Sequence, residues 1–300
     1  MEPIQPIKIT KGMKVTELVN SLSNCGFNAN KISKAVDILK EAKKEKCTVF
    51  FGFAGAMVPA GMKQVVIDMI NDNTINVLVT TGANMTHDLI EALGHKHYQG
   101  NANINDAELH KKNIDRIYDV FMKSEVYQDL EVFFDKNFDS LKDKTTIKEF
   151  LWEIGKIINK NDCILTACYK KKVPVFCPAL SDSGIGLMIW NNLVKNKKIS
   201  FNEFEDLKEM LDLAWTEKKK AILYVGGGVP KNYIQQAMQF SSPALYGIQI
   251  TTDRPEYGGS SGAELKEGIS WGKMSEKGKF VNVYCDATIA LPIIYAGFKG

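Results

Sequence analysis

The 300-residue sequence predicts an α/β fold in which helices flank a doubly wound, mostly parallel sheet. Short apolar runs recur along the chain, and they lack the polar alternation of strands that face water on one side. Between them lie amphipathic segments of helical period, such as residues 30–44 and 201–215. This alternation is typical of strand–helix–strand units, so we expect the strands to run parallel.

The predicted strands lie within six apolar runs, several of which follow a group of lysines at the end of a helical segment. We expect those lysines to be solvated and to suit the negative end of the helix dipole. Residues 100–160 contain no convincing strand and predict a helical excursion. We therefore predict an N-terminal arm at residues 1–25 and one domain at residues 26–300. The runs are 44–53 (KEKCTVFFGF), 75–81 (INVLVTT), 170–179 (KKKVPVFCPA), 217–228 (EKKKAILYVGGG), 244–253 (ALYGIQITTD) and 276–286 (EKGKFVNVYCD).

Composition excludes several classes of protein. A formal net charge of +3, from 38 basic and 35 acidic residues, gives no reason to expect a nucleic-acid or membrane partner. Neither a membrane-spanning apolar run nor a signal peptide is recognisable, so we expect a cytoplasmic protein. The cysteines form no CxxC pair, which predicts neither a disulfide framework nor a zinc site. Cys47, Cys177 and Cys285 lie in or beside apolar runs, where we expect small buried hydrophobic residues.

The residues that follow the predicted strands are rich in Gly, Ser, Thr and Asp. In a doubly wound sheet, ligands bind outside the carboxyl ends of the strands. Glycines there let backbone amides approach a ligand, and a helix that begins next offers a positive end to phosphate. A dinucleotide fits this pattern, although the usual GxGxxG fingerprint is absent. The strand ends are 52–57, 80–88, 178–184, 226–232, 251–256 and 286–288.

One further segment, GGSSGAELKEGISWGKM at 258–274, combines a flexible run with three chemically useful residues. If residues 262–271 are helical, Glu267 and Trp271 share one face, and Gly272 ends the helix before Lys273. A carboxylate and an indole together suit an alkylammonium group. Lys273 is either a nucleophilic amine that forms a Schiff base or a solvated lysine beside a core tryptophan.

Taken with other motifs, this segment resembles the deoxyhypusine synthases. The resemblance extends over almost the whole chain, in the expected order, and the variants TTGAN…THD and GGGVPKN resemble the archaeal branch. Besides the 260–274 segment, it rests on VLVTTGANMTHDLIEALG, PVFCPALSDSGIG, ILYVGGGVPKNYI and VYCDATIALP.

The resemblance implies a Rossmann-like domain that assembles as a homotetramer with NAD between subunits. It implies transfer of the aminobutyl group of spermidine to one lysine of translation initiation factor 5A, through an imine on Lys273. Glu267, Trp271, His87, Asn232 and Ser261 are the implied substrate-binding residues. The implied NAD contacts are Gly55, Ala56, Met57, Thr81, Gly82, Ala83, Asp182, Gly226, Gly227, Thr252, Asp286 and Ala287.

Departures from the family pattern concern the amine. Thr86 and His87 stand where well-studied eukaryotic members have two glutamates, and Asn232 stands where the family has a histidine. Other acidic positions are Leu187, Tyr257 and Ser260 in this chain; Asp88, Asp253 and Glu256 are the candidates to compensate. Two other functions therefore stay open: transfer of the aminobutyl group to a free diamine, as in homospermidine synthesis, and a silent NAD-binding scaffold.

The histidines allow one more hypothesis. His87, Glu91 and His95 are spaced to line one helix face, but we expect no metal site because Gly94 should end the helix before His95. His87 is either a proton shuttle or polyamine contact, or a structural residue. His97 and His110 show no functional pattern.

Overall fold

The computed structural model describes residues 3–300. Its α-helices are α1 (Val15–Leu22), α2 (Phe27–Lys44), α3 (Lys63–Asn71), α4 (Gly82–Ala92), α5 (Asp106–Lys111), α6 (Val126–Leu141), α7 (Ile147–Ile158), α8 (Ile164–Lys171), α9 (Gly184–Val194), α10 (Glu203–Thr216), α11 (Gly228–Gln239) and α12 (Ala287–Lys299). Its strands are β1 (Thr48–Phe53), β2 (Val77–Thr80), β3 (Tyr98–Gln99), β4 (Ile114–Ile117), β5 (Val120–Lys123), β6 (Val175–Phe176), β7 (Lys220–Val225), β8 (Ala244–Thr251) and β9 (Met274–Tyr284). Shorter helical turns occupy Val58–Met62, Pro255–Tyr257 and Leu265–Ile269.

The chain divides into two compact units. Unit 1 contains the described residues up to Ala54, together with Thr74–Val79 and Lys208–Gly300. Unit 2 contains Gly55–Asn73 and Thr80–Leu207. The boundary that the sequence predicts after residue 25 stays a prediction; α1 forms within that predicted arm.

Unit 1 is built on a parallel sheet with the strand order β2–β1–β7–β8–β9, and the short strand β6 lies in unit 2. The pairs β1–β7, β7–β8 and β8–β9 are all parallel. Phe51, Leu223, Ile248 and Val281 lie side by side across four strands and form a row of the core. The predicted α/β architecture with a parallel sheet is therefore confirmed, and each of the six apolar runs contains a strand.

Helices cover this sheet through their apolar faces. In α2, Ala35, Val36 and Leu39 are buried, and the helix packs on β8 and β9. The helix α12 packs on α1, α2 and β8, while α11 packs on β1. Within residues 3–300, no helix is both long and apolar enough to cross a bilayer.

One lysine of the groups that precede the strands is not solvated as predicted. Lys220 is fully buried, and its Nζ donates to the carbonyl oxygen of Ala214 at 2.5 Å and to Oγ of Ser242 at 2.7 Å. It therefore closes the carboxyl end of α10 from inside the unit, where a cation offsets the helix dipole. Burial lowers the pKa of Lys220 to about 8.

The helical excursion predicted at residues 100–160 is wrong in part, because unit 2 contains a small antiparallel sheet with the order β3–β5–β4. A two-residue turn, Tyr118–Asp119, joins β4 to β5, and Tyr118 takes a positive φ of 55°. Tight hairpin turns normally use Asn or Gly for such a conformation, so a Tyr–Asp pair is not recognisable as a turn. The side chain of Arg116 donates to the carbonyl oxygen of Tyr118 and holds the turn.

The rest of unit 2 is helical. The helices α7 and α8 pack closely, since a methyl group at Gly155 would overlap the backbone of Leu165. Phe134 and Phe150 stack in the core, with 6.1 Å between their ring centroids.

All six cysteines are free. Cys47 and Cys177 are buried as predicted, while Cys285 is only half-buried because it lies just beyond the end of β9.

Candidate active site

Lys273 opens into a cavity of about 250 Å³ within unit 1. The lysine is half-buried and immediately precedes β9. Two segments build the cavity wall: the first turns of α11 and the chain from 258 to 273. The lining residues are Lys231, Asn232, Gln235, Gly258, Gly259, Ser260, Ala263, Glu264, Glu267, Gly268, Trp271 and Lys273.

The segment before Lys273 is a 3₁₀ helix, Leu265–Ile269, where the sequence predicted an α-helix. Four further residues turn the chain into β9, and Gly272 among them has a positive φ of 70°, so it does end the helical turn. The amide of Lys273 donates to the carbonyl oxygen of Gly268 at 2.8 Å. Despite the tighter helix, Glu267 and Trp271 both reach the cavity.

The tryptophan contacts the lysine directly. Nζ of Lys273 lies 4.8 Å from the centroid of the Trp271 ring, within the range of a cation–π interaction. Trp271 is 56% exposed, so the indole is not a core residue that the lysine merely follows. Of the two sequence hypotheses for this segment, the buried core tryptophan is therefore wrong.

A second lysine, which no sequence motif indicated, anchors the glycine-rich run. Lys231 is only 5% exposed, and its Nζ donates to the carbonyl oxygens of Ser260 at 2.7 Å and Ala263 at 2.5 Å. It also donates to Oε1 of Gln249 at 3.0 Å. Burial lowers the pKa of Lys231 to about 8, and the charge of Lys273 acts in the same direction. The run at 258–263 is therefore held over α11 by a buried cation.

Gln249 in β8 completes this anchor. Its Nε2 donates to the carbonyl oxygens of Ser261 at 2.8 Å and Gly226 at 3.2 Å. Gly227 allows the close approach, because a methyl group there would overlap the backbone of Ser261. The glycine at 227 is thus required by chain packing, whatever it contacts in a ligand.

Two predicted substrate residues differ in availability. Asn232 is exposed and lines the cavity. The hydroxyl of Ser261 instead donates to the carboxylate of Asp253, which also accepts the backbone N–H of Arg254 at 2.9 Å. These bonds lower the pKa of Asp253 and engage both its carboxylate oxygens, so it compensates poorly for a missing acidic residue.

Unit 1 brings together the predicted cofactor residues that follow β7, β8 and β9. Because these strands are parallel neighbours, Gly226, Thr252 and Asp286 lie at one edge of the sheet. Gly226 has a positive φ of 68°, and Thr252 and Asp286 are exposed. Asp286 accepts the amide N–H of Thr288 at 2.7 Å and caps α12. Gly227, which immediately precedes α11, and Ala287, the first residue of α12, complete the set.

The other predicted cofactor residues lie in unit 2. Thr81 caps α4 by accepting the amide N–H of Asn84. Gly82 is buried against Ser183, the neighbour of the exposed Asp182, so these two predicted residues lie close together. Gly55 is exposed, with a positive φ of 77°. The full set in this unit is Gly55, Ala56, Met57, Thr81, Gly82, Ala83 and Asp182.

His87 is buried and belongs to a half-buried chain of hydrogen bonds in unit 2. Its Nδ1 lies 2.9 Å from Nε2 of His97, whose Nδ1 lies 2.7 Å from Oε1 of Glu91. Glu91 also pairs with Lys63 at 2.5 Å. A carboxylate only accepts, so His97 donates to Glu91. Burial lowers the pKa of His87 to about 4, helped by His97. His97, for which the sequence predicted no role, is therefore the central member of this cluster.

The remaining acidic candidates take different positions. Asp88 is fully buried and accepts the amide N–H groups of Ile164 and Leu165 at the start of α8, so it is a helix cap and not an amine ligand. Burial raises its pKa to about 6. Glu256 is exposed and lines a second cavity in unit 1.

The residues that stand at acidic positions of the family have different environments in this chain. The hydroxyl of Thr86 donates to the carbonyl oxygen of Gly82 and accepts from the amide of Ile185. Leu187 and Tyr257 are exposed.

The metal hypothesis at His87, Glu91 and His95 receives no support from the geometry. The helix α4 ends at Ala92, Gly94 has a positive φ of 111°, and His95 bonds to Asp129 at 2.7 Å. Among residues 3–300 there is no group of three or more His, Cys, Asp or Glu side chains that could hold a metal ion.

Comparisons with known proteins agree with the sequence motifs. The deoxyhypusine synthase family model matches residues 17–298. The Methanosarcina acetivorans protein named "Probable deoxyhypusine synthase 1" is 45% identical over 301 residues, which cover 99% of this chain and 94% of that protein.

Two solved structures share the fold. The crystal structure of a candidate deoxyhypusine synthase from Entamoeba histolytica has a TM-score of 0.67 at 19% identity and covers 98% of this chain and 96% of that one. AgrE, solved with ornithine and NAD+, has a TM-score of 0.54 at 10% identity and covers 98% of this chain and 34% of that one. By family model and by sequence identity, the chain belongs to the deoxyhypusine synthase family of enzymes.

Proposed function

We propose that the protein transfers the aminobutyl group of spermidine to a lysine of translation initiation factor 5A, through an imine on Lys273. The observation that carries this proposal is the position of Lys273, half-buried in a cavity whose wall also contains Trp271 and Glu267. An amine nucleophile, an aromatic face and a carboxylate are the groups that a polyamine substrate requires there.

The chemistry of Lys273 follows from its amine. Loss of a hydride from the carbon of the four-carbon chain that adjoins the secondary nitrogen of spermidine leaves an iminium ion at that carbon. Lys273 adds to the carbon, the C–N bond to 1,3-diaminopropane breaks, and the butylamine fragment remains on Lys273 as an imine. The acceptor lysine then replaces Lys273 at the same carbon, and return of the hydride gives a stable secondary amine. The net reaction moves one aminobutyl group and leaves the redox state unchanged.

NAD supplies the hydride acceptor and donor for this sequence when it is bound. The residues of unit 1 fit such a group, since Gly226, Thr252 and Asp286 share one sheet edge and two helices begin beside it. Asp286 offers a carboxylate that suits a ribose hydroxyl. AgrE, which binds NAD+, shares the fold but not the sequence.

The loop anchor has a defined part in this proposal. Lys231 and Gln249 hold the run at 258–263 in place, and this run forms one wall of the Lys273 cavity. A fixed wall keeps the amine near Lys273, and orientation of this kind is a major source of rate enhancement.

The partners follow from the same reaction. The acceptor is factor 5A, which places the reaction in the cytoplasm with the translation machinery. We also propose a homotetramer, as the family resemblance implies; the mass of the native protein in solution tests it.

The test of the proposed function is incubation with NAD, labelled spermidine and the cognate factor 5A, with and without putrescine. Label on the factor, with release of 1,3-diaminopropane, is the expected result. Label that appears in homospermidine while the factor stays unlabelled would replace the protein acceptor with a free diamine. Absence of both products, in protein that binds NAD, would contradict the reaction itself.

A further inference from the structure

Glu264 lies where three cavities of unit 1 meet. Its side chain lines the Lys273 cavity, a cavity of about 540 Å³ that also contains Thr252 and Glu256, and a groove of about 750 Å³ along α2 and β9. Glu264 is exposed, and its Oε1 accepts the hydroxyl of Tyr284 at 2.9 Å. The carboxylate is therefore held at the mouth of the Lys273 cavity by a neighbouring strand.

Tyr284 is suited to hold that carboxylate. Burial and the hydrogen bond to Glu264 raise the pKa of Tyr284 to about 12, so the phenol remains a donor at neutral pH. Only one oxygen of Glu264 is engaged in this bond. The other oxygen has acceptor capacity for a ligand.

A second acceptor lies deeper in the same cavity. Gln235 is 6% exposed, and its Oε1 has no hydrogen-bond partner among the described residues. This oxygen faces Gly268, at 3.4 Å from the position a Cβ would take there, and Gly268 bonds to the amide of Lys273. The buried hydroxyl of Tyr224 lies near the side-chain amide of Gln235, but it does not donate a hydrogen bond to Oε1. A buried acceptor without a donor is costly, and a ligand N–H removes that cost.

The charges of the cavity favour a cationic ligand. The ammonium group of Lys231 is buried and already bonded to three oxygen atoms. Lys273 must react as a neutral amine in the proposed function. Glu264 and Glu267 then leave two negative charges in the cavity wall, which two ammonium groups of a polyamine balance.

We propose that Glu264, oriented by Tyr284, and Gln235 determine the specificity of the Lys273 cavity for a polyamine. Glu264 binds a terminal ammonium group at the cavity mouth. Gln235 accepts a hydrogen bond from a substrate nitrogen close to Lys273. This inference rests on the proposed function and names how its amine substrate is recognised. No covalent step is added to the reaction.

The decisive experiment is a double-mutant cycle in which one change is made in the protein and the other in the ligand. Spermidine binding to the protein with NAD present is measured by calorimetry for wild type and for Glu264→Gln. The same pair is measured with two analogues, each of which has one terminal amine of spermidine replaced by a methyl group. We expect Glu264→Gln to weaken spermidine binding roughly three- to tenfold at low salt, and less at high salt.

With one of the two analogues, the difference in affinity between wild type and Glu264→Gln should disappear. If Glu264 binds a terminal ammonium, the analogue that lacks that amine binds wild type and Glu264→Gln within about twofold of each other, while the second analogue keeps the full effect. Tyr284→Phe should weaken spermidine binding in the same direction without any change in charge. The matched control is Glu276→Gln, which removes an exposed charge of the groove outside the Lys273 cavity.

Two results would overturn the role of Glu264. Equal spermidine affinity in wild type and Glu264→Gln excludes it as an amine ligand. Loss of NAD affinity with unchanged spermidine affinity would assign the carboxylate to the cofactor, since Thr252 shares its second cavity.

Gln235 has its own test. Gln235→Met keeps the side-chain length and removes the acceptor; we expect the KM for spermidine to rise about tenfold while thermal stability stays unchanged or rises. Gln239→Met, at an exposed position of the same helix, is the control. An unchanged KM in folded Gln235→Met contradicts this role, and if that variant does not fold, Gln235→Leu at reduced temperature applies the same criterion.

The experiments distinguish a failure of the proposed function from a failure of the specificity role of Glu264. If wild type binds spermidine but forms no NADH and no covalent adduct, the reaction is wrong while the binding cycle still reports on Glu264. If wild type forms the adduct and the cycle shows no coupling, the reaction stands and only the present inference falls.

Discussion

Nζ of Lys273 lies 4.8 Å from the centroid of the Trp271 ring. The Lys273 amine therefore occupies one face of the indole. A substrate amine can contact only the part of the ring that Lys273 leaves uncovered. An iminium ion formed on Lys273 bears positive charge at the same place, so the ring that stabilises the ammonium group also stabilises the reaction intermediate.

Replacement of Trp271 tests this relationship. Trp271→Leu keeps apolar bulk and loses the ring quadrupole, so we expect adduct formation at Lys273 to become less favourable by roughly 0.5–2 kcal/mol. Single-turnover kinetics with spermidine measures this directly. Trp215→Leu, an exposed tryptophan of α10, is the control. Equal adduct yield and rate in Trp271→Leu and wild type would exclude a role for the indole.

Removal of the buried cation should free the glycine-rich run. In Lys231→Met the carbonyl oxygens of Ser260 and Ala263 lose their donor, but the desolvation cost of the ammonium group also disappears. We expect global stability to fall by no more than about 2 kcal/mol, while amide exchange at 262 and 263 accelerates at least about tenfold. Lys266→Met is the exposed control. Unchanged exchange at these amides would show that Lys231 does not hold the loop.

Gly227 should be intolerant of any side chain, for reasons of packing. Gly227→Ala places a methyl group on the backbone of Ser261, and we expect a loss of about 1–3 kcal/mol in the free energy of unfolding. Chemical denaturation measures it, with Gly26→Ala as the control because open space surrounds that residue. A stable Gly227→Ala variant with a native 258–263 loop would contradict the packing argument. Loss of NAD binding in this variant reports on the loop as well as on the cofactor contact.

His87 should make the protein less stable in mild acid. Its folded pKa is about 4, against 6.5 for a free histidine, so between these values the unfolded chain binds a proton that the folded chain does not. Stability is therefore lost as the pH falls from 6.5 towards 4, on the order of 2 kcal/mol by pH 5.

The measurement is the difference between wild type and His87→Gln in the free energy of unfolding at pH 7 and pH 5. A difference is needed because the raised pKa of Asp88 acts in the opposite sense over the same range. His110→Gln, an exposed histidine, is the control. Identical pH dependence in wild type and His87→Gln would show that the imidazole titrates normally.

The sheet was predictable because buried parallel strands leave continuous apolar runs, which is why β1 and β7 were found. The hairpin at β4 and β5 was missed because IDRI and VFMK mix polar and apolar residues and Tyr118 replaces a turn glycine. Chain position alone does not reveal a conformation that tertiary contacts impose.

Some residues of the candidate site could likewise be predicted from the sequence, and others could not. Lys273, Glu267 and Trp271 are close in sequence, so their association was visible in one motif. Lys231 contacts residues 18 to 32 positions away, two of them through backbone carbonyls, which carry no sequence signature. His97 joins Glu91 and His87 only because the chain turns back after Gly94.

The most direct test of the central claim is a covalent trap on Lys273. Wild type is incubated with NAD and spermidine, reduced with borohydride and mapped by mass spectrometry, in parallel with Lys273→Arg. A guanidinium group cannot form the imine, so we predict an aminobutyl adduct on Lys273 in wild type, and neither adduct nor acceptor modification in Lys273→Arg, which should still bind NAD. An adduct on a different lysine, or full modification of the acceptor by Lys273→Arg, would contradict the account.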